Sequence, residues 1–85
     1  MTSEQFILKC RNNLAEIITA KYNPSISYLA GDFHLIWFNK TLNNFKACFC
    51  DLRPNERYYE CTYDGDSKKI YIDIYEKTDN KTINI

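Results

Sequence analysis

Valine is absent, glycine and proline occur only twice each, and histidine and tryptophan once each among the 85 residues. Two glycines cannot build a Walker phosphate loop or a dinucleotide-binding turn, which removes the enzymes that need a glycine-rich cradle. The uncharged stretch Phe33–Asn39 is far too short to cross a bilayer, so no membrane role is expected. An excess of one charge is also missing. Eleven Lys and Arg balance eleven Asp and Glu, so no net field draws the chain toward phosphate backbones, and nucleic acid is an unfavoured partner. The opening Met1-Thr2-Ser3-Glu4-Gln5 lacks the basic segment and apolar run of a secretory signal, which reads as a cytoplasmic protein.

What is abundant is aromatic and aliphatic bulk. A chain of this length is one domain, 1–85, that buries only roughly 60–65% of the surface its unfolded form exposes. Seven Tyr, five Phe and one Trp compensate, since each buries on the order of 150–250 Å². Self-association would help further. Nine Asn, eight Lys, ten Ile and seven Tyr are residue types encoded by AT-rich codons, which points to a low-GC host or its virus. Four cysteines without a signal read as free thiols that behave as small apolar residues.

Thr2-Ser3-Glu4-Gln5 fits a capping box that opens a helix. Phe6, Cys10, Leu14 and Ile18 then recur every four residues, with Ile7 and Ile17 beside them, until Asn23-Pro24 stops the helix. Phe33–Phe38 is apolar on both alternating faces, which predicts a central strand. Asn39–Asn44 is expected to be a loop or an irregular strand end, followed by a strand over Phe45–Cys50 and a turn at Pro54-Asn55. The last hairpin pairs Tyr58–Tyr63 with Lys69–Tyr75 around Asp64-Gly65, a dipeptide suited to the positive φ of a tight turn, with a loop of two or four residues. Alternation puts Ile70, Ile72 and Ile74 with Tyr59, Cys61 and Tyr63 on one face, and Tyr58, Glu60, Thr62, Tyr71, Asp73 and Tyr75 on the other. Thr78–Ile85 is polar apart from Ile83 and Ile85, and is expected to fray or to pair as an edge strand. The fold class is α+β: an N-terminal amphipathic helix on a four-stranded antiparallel meander.

Several constellations invite chemistry. Cys48 and Cys50, with Cys10 and Cys61 or with His34, are candidate zinc ligands. On a regular strand, however, residues two apart have Cα atoms about 6.5 Å from each other, while sulfurs sharing a zinc lie under about 4 Å apart, so no metal is expected. A cysteine with His34 would make a nucleophile and base, but no residue pattern orients them. Glu60 and Asp73 form a cross-strand carboxylate pair with tyrosines nearby, on a flat face that offers no pocket to shift their acidity. The tyrosine-acid face reads better as a surface. Tyrosine is enriched at protein-binding hot spots and the acids repel phosphate, so Tyr58, Glu60, Tyr71, Asp73 and Tyr75 are the candidate partner-binding residues, with Trp37 and Phe38 as secondary candidates where the first strand is partly exposed.

Three segments carry a resemblance: Thr2–Ile7, Ile36–Asn44 and Tyr58–Tyr71. Across them the chain resembles a family of uncharacterised small proteins carried by phages and prophages of Gram-positive bacteria. The resemblance implies a phage accessory protein, a class that includes small inhibitors of host enzymes and immune systems, and it transfers no catalytic residue. Members lack most of these cysteines, which weighs against metal or thiol chemistry. The expected function is therefore a non-enzymatic protein without a cofactor that binds and inhibits a host defence component, with homodimerisation as a further expectation. Two other readings stay open. One is a sponge for a nucleotide immune signal using Arg53, Arg57, Lys68 and Lys69; the other is a small regulator of phage DNA metabolism.

Overall fold

The computed structural model describes residues 1–22, 27–51 and 57–85. Helix α1 (Ser3–Tyr22) is followed by one turn of 3-10 helix (Ala30–Asp32) and strands β1 (Phe33–Thr41), β2 (Asn44–Asp51), β3 (Arg57–Asp64) and β4 (Lys69–Glu76). The capping box forms as expected: Thr2 Oγ1 accepts from the Gln5 amide at 3.1 Å, and Gln5 Oε1 accepts from the Thr2 amide at 2.8 Å. The expected helix stop at Asn23-Pro24 and the turn at Pro54-Asn55 lie outside the described residues.

The strands pair in the order β1-β2-β3-β4, all antiparallel, and α1 lies across one face. Phe6, Cys10, Leu14 and Ile18 are fully buried against Phe33, Phe45, Ala47, Phe49, Tyr59 and Cys61. The Phe6 ring sits 5.3 Å from Phe45, 6.2 Å from Phe38 and 6.4 Å from Tyr63, centroid to centroid. Burying each such side chain stabilises the fold by about 1.5–3 kcal/mol. The isoleucine stripe of β4 faces the helix side as predicted, but only half-buried. The Cα atoms extend 19 Å along the shortest axis, the depth of one sheet plus one helix.

Three local expectations change, and a fourth, open between two alternatives, is decided. First, β1 is an edge strand rather than a central one. A register shift between Leu35 and Trp37 explains its apolar residues on both sides: Phe33, Leu35 and Phe38 pack toward the helix, while Trp37 is turned outward. Second, Asn39–Asn44 is mostly strand, because Thr41 pairs with Asn44 across a two-residue turn, Leu42-Asn43. Leu42 takes φ of 55°, the positive φ that a two-residue hairpin turn demands.

Third, the Asp64-Gly65 hairpin has a four-residue loop in which Lys68, with φ of 57°, carries the positive φ and neither glycine does. Gly65 is needed for a different reason, since a Cβ there would overlap the backbone oxygen of Asn43. The two hairpin tips are laced together by Gly65 N–H to Asn44 Oδ1 at 3.0 Å and Asn43 Nδ2 to Asp66 Oδ1 at 3.1 Å. Fourth, residues 77–85 leave the sheet without adding an edge strand, having only two isoleucines to bury. Among the described residues, no helix is long and apolar enough to cross a membrane.

Candidate functional site

Antiparallel pairing puts opposed residues on one face, so the register assembles the uncovered side of the sheet row by row. His34, Cys50, Tyr58 and Tyr75 form one row; Trp37, Cys48, Glu60 and Asp73 the next; Asn39, Lys46, Thr62 and Tyr71 the third. All six residues expected to bind a partner, Trp37, Tyr58, Glu60, Tyr71, Asp73 and Tyr75, therefore share one surface. Trp37 is 42% exposed, and Tyr58, Tyr71 and Tyr75 are 49–50% exposed. That is wet enough to meet a partner, yet seated on the sheet. Phe38 is not part of this surface: it lies on the helix side, in contact with Phe6 and Phe45.

Trp37 reaches the face only through the strand irregularity. Strict alternation from Phe33 would have pointed it at the helix, and no residue pattern in β1 announces the shift. At the centre, Lys46 Nζ lies 3.8 Å from Glu60 Oε2, which also accepts a hydrogen bond from the Tyr75 hydroxyl at 3.4 Å. The negative charge of Glu60 raises the Tyr75 pKa, with desolvation and Asp73 adding to it. Burial raises the Cys48 thiol, helped by Glu60. Both effects favour the protonated forms of the Tyr75 hydroxyl and the Cys48 thiol.

The sheet divides the four free thiols. Cys10 and Cys61 are buried between helix and sheet, while Cys48 and Cys50 are on the opposite side, so the tetrad considered for zinc does not converge. Among the described residues, no three His, Cys, Asp or Glu side chains are grouped to hold a metal ion. The hydrogen bond between Cys61 and Cys10, reinforced by burial, holds the Cys61 thiol far above its ordinary pKa. His34 stands opposite Cys50 at the β1 edge, exposed, and no side chain among the described residues orients its imidazole.

The basic set considered for a nucleotide is not assembled either. Lys68 and Lys69 lie at the hairpin tip, Arg57 is at the other end of β3 and turned toward the helix side, and Arg53 lies outside the described residues. A shallow depression of about 280 Å³ lies beside Trp37, Asn39, Lys46 and Thr62 on the open face. It is below the usual size for enclosing a small molecule.

A second polar cluster went unforeseen, although alternation back from Tyr59 would have placed Arg57 on the same side. Asp51, whose side chain is fully buried, accepts a hydrogen bond from the Tyr59 hydroxyl at 2.8 Å and lies 3.7 Å from Arg57 Nη2. Arg57 donates to Tyr59 at 3.1 Å and to Tyr28 at 3.3 Å, and its guanidinium carbon stacks 3.7 Å from the Tyr22 ring centre. The Tyr22 hydroxyl in turn donates to Glu76 at 2.9 Å. The cluster ties the helix end and Tyr28 to β2, β3 and β4. It is a structural knot, sealed from solvent at its centre.

Together these features define an open-faced two-layer α+β domain, one side of its sheet committed to a helix and the other offering aromatics to solvent. The chain belongs to the Family of unknown function (DUF6275), whose model matches residues 7–85. No curated protein and no solved structure matches it.

Proposed function

We propose that this protein acts by binding another protein through the open sheet face, without catalysing a reaction. The observation that carries the reading is the convergence of Trp37, Tyr58, Tyr71 and Tyr75 around Glu60 and Asp73 on a surface with no helix over it among the described residues. Aromatic side chains bring large contact area at small entropic cost, and central carboxylates favour a basic or hydrogen-bonding protein patch over phosphate. The resemblance to small phage and prophage proteins supports a protein of the host cell as the partner. A defence component such as a nuclease effector, inhibited by occlusion, is the target class of this reading.

The test is affinity capture from host cells with the wild type, the double variant Tyr71→Ala/Tyr75→Ala, and a control substitution on the outer helix face, Asn12→Ala. The expected result is a partner retained by the wild type and the control and lost by the double variant, which keeps its circular dichroism spectrum. Equal capture by all three would refute the assignment of the face. A salt-sensitive gel shift with RNA or DNA would refute the choice of a protein partner.

A further inference from the structure

The two sheet edges are built differently. The β1 edge strand carries the register shift between Leu35 and Trp37, a distortion that discourages pairing with another chain. β4, Lys69-Ile70-Tyr71-Ile72-Asp73-Ile74-Tyr75-Glu76, pairs with β3 in unbroken register over all eight residues. It contains no proline or glycine, its one inner-face charge is at its end, and its outer edge has no strand partner among the described residues. Its inner face is unfinished as well. Ile70, Ile72 and Ile74 are only half-buried, whereas the facing β3 residues Tyr59 and Cys61 are completely buried.

We infer that β4 is a self-pairing edge: two copies of this chain join antiparallel, β4 to β4, about a two-fold axis through Ile72 and normal to the sheet. The sequence of the strand selects both the occupant and the register. Registers that oppose odd with even positions set isoleucines against tyrosines on opposite faces and are excluded by the pleat. Centring on Asp73 puts the two aspartates directly against each other and Ile70 against Glu76. Centring on Tyr71 shortens the ladder and sets Ile74 against Lys68. Centring on Ile72 pairs Ile72 with itself and Ile70 with Ile74 twice, so the half-exposed stripe is completed by its own copy. On the open face the same register puts Tyr71 opposite Asp73, and Lys69 opposite Tyr75, with no like charges opposed.

The axis puts both helices on one side and joins the two open faces into one eight-stranded surface. Tyr58, Tyr71 and Tyr75 of both copies then lie nearest its centre. The pairing of the β4 edges does not depend on what docks on the face.

Analytical ultracentrifugation over a concentration series tests it with the wild type, Tyr71→Lys and Tyr71→Asp, each checked for an unchanged circular dichroism spectrum. Tyr71 is half-exposed, so these substitutions act on the interface and spare the core. The wild type is expected to sediment as a reversible dimer. Tyr71→Lys, which sets a cation opposite Asp73 twice, should tighten it on the order of tenfold, and Tyr71→Asp should loosen it by a similar factor. The double variant Tyr71→Lys/Asp73→Lys opposes like charges and should dissociate, yet form a heterodimer when mixed with Tyr71→Asp. A wild type monomeric at every concentration, a dimer that both Tyr71 variants weaken or leave unchanged, or a mixture that fails to pair would each overturn the proposal.

Discussion

Replacing Tyr59 with Phe removes one oxygen from the interior and keeps the ring that packs on Phe33 at 5.4 Å. That oxygen serves two charged groups: it donates to Asp51 at 2.8 Å and accepts from Arg57 at 3.1 Å. Hydrogen bonds to charged partners are worth about 1.5–3 kcal/mol each, and Arg57 keeps its ion pair with Asp51, so the expected net loss is about 2–3 kcal/mol. In a chain of 85 residues this lowers the melting temperature by about 10–20 °C. Urea titration followed by Trp37 fluorescence and by circular dichroism measures it. Burial holds the folded-state pKa of Tyr59 well above its ordinary value; the hydrogen bond from Arg57 opposes this, and Asp51 adds to it. A raised acid stabilises the fold fully below the unfolded tyrosine value of about 10, and that contribution fades as pH climbs toward the folded value. The gap between wild type and Tyr59→Phe should therefore be constant up to about pH 10 and narrow above it. A loss under about 0.5 kcal/mol at neutral pH would refute the reasoning, because it would mean Asp51 is satisfied without the hydroxyl.

Phe6→Ala removes the ring that meets Phe38, Phe45 and Tyr63, and should cost about 3–5 kcal/mol, enough to leave much of this small domain unfolded at 37 °C by calorimetry. Gly65→Ala pushes a methyl into the Asn43 backbone and should cost about 1–3 kcal/mol in denaturant titration, through contact rather than through φ. Leu42→Gly should act in the opposite direction: Leu42 is 87% exposed with φ of 55°, so glycine relieves the turn and raises stability by about 0.5–1 kcal/mol in the same titration.

The helix was legible because two independent signals agree, the Thr2/Gln5 cap and the stripe Phe6, Cys10, Leu14, Ile18, all four fully buried. The last hairpin was legible for a similar reason, since alternating isoleucine and tyrosine fixes both faces of β4 and, through pairing, of β3. β1 was misread because an apolar run on both faces describes two situations equally well, a buried central strand and an edge strand whose register shifts midway. Leu42 in a left-handed turn was invisible for another reason: the neighbouring hairpin tip and the strand register hold it there against its own preference. The candidate face was read residue by residue. Its membership was right for the tyrosines and acids, which alternation governs. Phe38 was misassigned and Trp37's place left open, because both sit just past the shift in β1.

The lopsided architecture confines the packed core to one side of the sheet. Residues that touch the helix are held in place by packing, and a change at Leu14 or Phe49 is paid for in stability. Side chains on the reverse of the same strands, Trp37, Tyr58 and Tyr71 among them, carry little of that load. Every second position along the strands can therefore change while the framework underneath stays fixed.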